Sequence, residues 1–135
     1  MNLVSVRVIT ADVDRLVRFY EQVAGTALVK YTEDFAELVT PIGTLAIGHT
    51  RTLAAFGGDV ARAADNHSAI IEFLVDDVDA DYRRLANVVE GSLVQAPTTM
   101  PWGNRSLLFR DPDGNLVNLF TPVTPQAKQK FAKPR

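Results

Sequence analysis

Two stretches of this chain run through the same order of elements, and that order limits the folds open to it. Residues 4–9 alternate as a strand, with Val4, Val6 and Val8 on one face and Ser5, Arg7 and Ile9 on the other. Asp12 is suited to cap a helix, and Val13, Leu16, Val17, Tyr20 and Val23 follow at helical spacing until Gly25. Residues 27–31, 35–40 and 44–48 read as three strands, the last two separated by Pro41-Ile42-Gly43. From residue 68 the pattern restarts. A strand over 68–75 precedes Asp77, a second cap, and a helix to about Val89 that Gly91 ends. A strand over 92–96, a loop over 97–103 and a hairpin complete the second copy.

Shifting the halves by 65 residues aligns Asp12, Val13, Asp14, Arg18, Val23, Leu28 and Val29 with Asp77, Val78, Asp79, Arg83, Val88, Leu93 and Val94. At the hairpins a shift of 71 aligns Pro41, Gly43 and Leu45 with Pro112, Gly114 and Leu116. The matches gather on the helix cap, the next strand and the turn. A β-α-β-β-β unit used twice accounts for them. The modules cover about 3–48 and 67–121, joined by a less regular linker over 49–66. There Phe56-Gly57-Gly58 suggests a break and residues 59–64 a helical turn.

The second hairpin carries the densest turn chemistry, Arg110-Asp-Pro-Asp-Gly-Asn115. Pro112 presets φ, Gly114 supplies positive φ, and Asp111, Asp113 and Asn115 can bond the local backbone. The outgoing strand places Leu116, Asn118 and Phe120 on one face and Val117 and Leu119 on the other.

Composition removes several functional classes. With 135 residues, 47% of them apolar, the chain can build a core without staples. It has no cysteine, so disulfides, thiolate metal sites and cysteine nucleophiles are excluded. A net charge of −2 gives no polyanion signature, and nucleic acid is not an expected partner. No apolar run is long enough for a membrane span and no signal peptide is indicated, so a cytoplasmic location is expected. The segment 123–135 differs in kind. It carries Lys128, Lys130, Lys133 and Arg135 without an acid and reads as a basic, solvated tail, with a docking arm as the alternative. The preceding part, 1–122, is expected to be one domain.

The residues now resemble a known group. Asp12-Val-Asp-Arg-Leu-Val-Arg-Phe-Tyr20 with Gly25, then Val75-Asp-Asp-Val-Asp79, Pro101-Trp-Gly103 and Arg110-Asp-Pro-Asp-Gly-Asn115 resemble signatures of the vicinal oxygen chelate superfamily. That superfamily includes glyoxalase I, extradiol dioxygenases, fosfomycin-resistance enzymes and bleomycin-binding proteins. The similarity implies an α+β fold of two βαβββ modules forming an incomplete barrel, the glyoxalase/bleomycin resistance fold, paired within a chain or across a homodimer around a pocket. In metal-dependent members, ligands project from the first and last strands of each module.

Carried onto this chain, those positions are Ser5, Ile47, Ile70 and Asn118. The repeat independently relates Ser5 to Ile70 and Ile47 to Asn118. A divalent metal of this type needs imidazole or carboxylate donors, and these four supply none. Asn118 stands where the resemblance implies a glutamate. His49 and His67 read as strand-end residues. The resemblance thus implies no metal and no cofactor, and a small-molecule binding protein rather than an enzyme, sequestering an aromatic or amphipathic compound such as an antibiotic. A glyoxalase- or dioxygenase-like enzyme with an absent or unusual metal site is the alternative, with Glu72 as a conceivable general base.

By strand alternation the pocket face carries Ser5, Arg7, Ile47, Ile70, Glu72, Asn118 and Phe120. Met100 and Trp102 can form a wall, and Trp102 either stacks on a planar ligand or packs on the hairpin. Phe35 and Phe56 are further candidates. Arg7 and Glu72 are repeat mates and either pair with each other or meet a charged ligand. Arg105 either holds a carboxylate or phosphate or faces water. Asp12, Asp14, Asp77 and Asp79 read as helix-start acids.

Overall fold

The computed structural model describes residues 1–132. It contains two compact units, Met1–Asn66 and a second that begins at His67. Each holds a four-stranded mixed sheet, and neither sheet closes into a barrel.

In the first unit, β1 (Ser5–Thr10) leads into α1 (Val13–Ala24), then β2 (Val29–Thr32), β3 (Phe35–Val39) and β4 (Thr44–His49). The strand order is β1-β4-β3-β2. β1 runs parallel to β4, and the other neighbours are antiparallel. The helix begins where Asp12 accepts the backbone N–H of Arg15 at 3.1 Å, and it stops where Gly25 takes φ +70°. Its buried stripe is Val13, Leu16, Val17, Phe19, Tyr20 and Val23. Ala36, Leu38, Leu45, Ala46 and Ile47, from β3 and β4, and Leu53 after them complete the buried apolar set of this unit. Each large side chain buried in this way contributes roughly 1.5–3 kcal/mol.

In the second unit, β5 (Ile70–Leu74) is followed by α2 (Val78–Arg84), α3 (Ala86–Val89), β6 (Leu93–Thr99), β7 (Asn104–Arg110) and β8 (Leu116–Pro122). The order β5-β8-β7-β6 repeats that of the first unit. Asp77 caps α2 as Asp12 caps α1, accepting the N–H of Ala80 at 3.0 Å. The single helix expected up to Val89 is interrupted at Leu85, whose φ/ψ of −97°/6° leaves the helical region. Leu85, at the break, and Val89, beyond it, are both buried. β6 runs on to Thr99, through Pro97, past the loop expected there. Proline is tolerated because β6 is an edge strand whose register shifts between Gln95 and Thr98.

The Arg110–Asn115 turn forms as its residues dictate. Asp111 Oδ1 accepts the N–H groups of Asp113 and Asn115 at 2.9 and 3.0 Å, and Oδ2 accepts Asn115 Nδ2 at 2.8 Å. Gly114 takes φ +85°.

Two further expectations change. In the linker the helical turn comes earlier, as a 3-10 helix over Thr50–Phe56, and Gly57 ends it at φ +95°. The C-terminal segment is not a solvated tail throughout, since Pro125–Ala132 forms a helix, α4. Thr124 Oγ1 accepts the N–H of Ala127 at 3.3 Å, with Pro125 at the first helical position. Lys133 and Arg135 lie outside the described residues. No helix among the described residues is long and apolar enough to cross a membrane.

Candidate functional site

Strand register decides which side chains share a face. In the first unit Arg7 lies opposite Ala46 and Val8 opposite Ile47, while Ile47 lies opposite Ala36. Ser5, Arg7, Ala46 and Gly48 therefore belong to one face, and Val8, Ile47, Leu45 and Ala36 to the other. Ile47 is fully buried in the core. The sequence expectation had put it on the face of Ser5 and Arg7. Its place there falls to Ala46, because β4 begins one residue closer to its turn glycine than β8 does to Gly114, and a one-residue slip reverses a strand's faces.

On the exposed face Arg7 is held by aromatic rings. Its guanidinium carbon lies 5.5 Å from the Phe56 ring centroid and 6.0 Å from that of Phe35. Gly48 lies beneath the stem, and a Cβ there would come within 3.0 Å of Arg7 Cδ. Phe35, opposite Gly48, also meets Tyr31 at 5.9 Å. Phe56 stays 59% exposed and Tyr31 57% exposed. The Tyr31 hydroxyl donates to Glu37, and this bond raises its pKa above the ordinary phenol value.

The second unit places Ile70, Glu72, Asn118 and Phe120 on one face, as alternation predicts. Glu72 lies opposite Asn118, whose Nδ2 donates to Glu72 Oε2 at 2.9 Å. Asn118 Oδ1 is buried and has no hydrogen-bond partner among the described residues. Arg7 and Glu72 thus each have a neighbour within their own unit that the expectation of a mutual pair did not include. Phe120 is 7% exposed, and Phe131 of α4 lies over it at 5.1 Å between centroids, so it is covered by its own chain. The sequence gives Phe131 little signal, since its segment has no apolar periodicity. Its one signal was Thr124-Pro125, a cap followed by a first-turn proline.

The loop candidates divide. Met100 is half-buried and opens the turn that Gly103 closes, with Gly103 N–H donating to Met100 O at 2.9 Å. Gly103 has φ +96°, and a Cβ there would collide with Thr124. Trp102, between them, is 67% exposed. Arg105 is committed elsewhere. It forms a two-pronged pair with Asp79 through Nε at 2.9 Å and Nη2 at 3.1 Å. That bond holds the Asp79 carboxyl below its ordinary pKa and raises that of Arg105. Asp79 is on the first turn of α2, so Arg105 ties strand to helix rather than facing a ligand. His49 is likewise in use, its Nδ1 accepting the Arg51 N–H at 3.0 Å as the cap of the 3-10 helix. Ser5 and Ile70 are exposed at the starts of their strands.

The sequence profile of the Glyoxalase/Bleomycin resistance protein/Dioxygenase superfamily matches residues 2–119. The chain belongs to that superfamily. No curated protein matches it. Among solved structures it is similar to a glyoxalase/bleomycin resistance protein/dioxygenase family enzyme from Burkholderia phytofirmans, with a TM-score of 0.78 and 18% identity over 91% of this chain and 100% of that one. A glyoxalase/bleomycin resistance protein/dioxygenase from Nocardioides gives 0.74 and 21%, over 93% and 85%. A protein from the mobile metagenome of V. Pseudocholerae gives 0.64 and 26%, over 90% and 94%.

The metal of the superfamily's metal-dependent members can be tested against these residues. With the register corrected, the four strand positions are Ser5, Ala46, Ile70 and Asn118. They offer a hydroxyl, two aliphatic groups and an amide, a set that does not fit a divalent cation. No group of three or more His, Cys, Asp or Glu able to hold a metal ion occurs among the described residues.

Proposed function

We propose that this superfamily member is a metal-independent binding protein for a small aromatic or amphipathic molecule, of the antibiotic-sequestering kind, working as a cytoplasmic homodimer. One observation carries the reading. The superfamily's strand positions hold Ser5, Ala46, Ile70 and Asn118, with no imidazole or carboxylate, yet the faces around them keep ligand-ready groups. Arg7 among aromatic rings and the Glu72–Asn118 pair are such groups, and the exposed Trp102 is another. The sheets also have free edges, a physical motive for pairing with a second copy.

Trp102 is the sole tryptophan, which makes the reading testable by fluorescence. Titration of purified protein with a panel of planar compounds is expected to quench or shift its emission with saturation, equally before and after EDTA treatment. Metal analysis of protein purified without chelator is expected to find far less than one ion per chain. A stoichiometric Zn, Ni, Mn or Fe that is lost on substitution of His49 or Glu72 would overturn the reading in favour of an enzyme.

A further inference from the structure

We infer that the first unit carries a binding site for an aromatic carboxylate, built on Arg7. The inference rests on the small-molecule reading above and gives it a ligand class. Arg7 stands on the exposed sheet face with Phe35 and Phe56 against its guanidinium, at 6.0 and 5.5 Å. Aromatic rings at that range attract the cation without taking up its N–H donors. No carboxylate pairs with Arg7 among the described residues. Glu37, on the same face, takes the Tyr31 hydroxyl, and Asp34 pairs with Arg51 at 2.7 Å.

The small residues of β4 make this arrangement possible. Ala46 lies opposite Arg7, and Gly48 clears space for its aliphatic stem. The stem is therefore laid on the sheet and the head lies near two rings, which reduces the side-chain freedom lost when a ligand binds. A carboxylate is the anion whose planar fork matches the free edge, at about 2.8 Å from nitrogen to oxygen. The partly exposed rings of Phe56 and Tyr31 provide apolar surface for the body of the ligand, which selects an aromatic acid over a bare anion.

The test uses the full chain, labelled with 15N, and three probes of one shape: 2-naphthoate, 2-naphthylmethanol and 2-naphthylmethylammonium. The naphthoate is expected to shift the Arg7 Nε–H and Gly48 amide signals and to bind about tenfold more tightly than the alcohol. Arg7→Gln is expected to remove that preference, leaving the naphthoate no tighter than the alcohol. Arg7→Lys keeps charge and stem but loses the fork, and should recover only part of it. Equal affinity for acid and alcohol, or a preference that survives Arg7→Gln, overturns the inference. Binding of the alcohol or the amine near Trp102 without any shift at Arg7 also overturns it, while the small-molecule reading stands. Silence of every signal towards all three probes removes both.

Discussion

The two modules share an order of elements and a helix cap, yet their exposed sheet faces have diverged in opposite senses. The first presents a cation held by aromatic rings over small strand residues. The second presents a carboxylate bonded to an amide, with Phe120 covered by the Phe131 ring of α4. The buried sides differ much less. Leu45 and Ile47 have their counterparts in Val117 and Leu119, all of them buried. The modules agree in what packs and differ in what faces outward, because core volume is constrained by every neighbour and an open sheet face is not.

The helices offer the sharpest way to break that comparison. α1 is continuous, whereas its counterpart is interrupted at Leu85. If packing rather than helix continuity holds each module, Leu16→Ala and Leu85→Ala should both cost about 2–5 kcal/mol, since both side chains are fully buried. Urea unfolding measures this. A cost below about 1 kcal/mol for Leu85→Ala would show that the second module has loosened around its break.

The turns come next. Asp111 is buried and satisfies three donors, while the equivalent turn of the first module relies on the Thr40 hydroxyl, which accepts the Gly43 N–H at 3.2 Å. Asp111→Ala should lower stability by about 2–3 kcal/mol and Thr40→Val by about 1 kcal/mol. Equal losses would mean that the second turn's carboxylate adds nothing beyond an ordinary hydrogen bond. The caps should then show no difference between modules. Asp12→Ala and Asp77→Ala should each cost about 1 kcal/mol, read from the same urea midpoints.

Much of this organisation was legible in the sequence. The repeat, both caps, the order of elements along each module and the Asp-Pro-Asp-Gly turn all follow from local chemistry that tertiary context did not override. What misled was register. Aligning Pro41 and Gly43 with Pro112 and Gly114 fixes the turns, but Asn115 adds a residue before β8 begins, so the strands themselves align with a shift of 72. Matching Leu45-Ala-Ile-Gly48 to Val117-Asn-Leu-Phe120 by size would have shown it, with the bulky residues inward. Arg105 and Phe131 were illegible for another reason. Both are settled by partners far away in the chain or across a helix, Asp79 for one and Phe120 for the other.

Those distant partners give the smallest effect. Asp14 and Asp79 are repeat mates that hold cations from different strands, Lys30 on β2 through one contact at 2.7 Å and Arg105 on β7 through two. The hydrogen bond from its partner lowers each carboxyl below its ordinary pKa of 3.8. A lowered carboxyl pKa means that the unfolded chain takes up protons first on acidification. Each pair therefore contributes above the ordinary carboxylate range and is lost as pH falls through the folded value. Stability measured from pH 7 down to pH 3 should fall less steeply in Asp14→Asn and Asp79→Asn than in the parent. The Asp14–Lys30 pair is solvent-exposed and the Asp79–Arg105 pair is part-buried, so added salt should shrink the effect more in the first. The two-pronged Arg105 pair has its geometry fixed by the guanidinium, and Asp79→Asn should flatten the acid limb more than Asp14→Asn does. Equal flattening would mean that neither the fork nor the partial burial of the second module's pair adds stability over the first's.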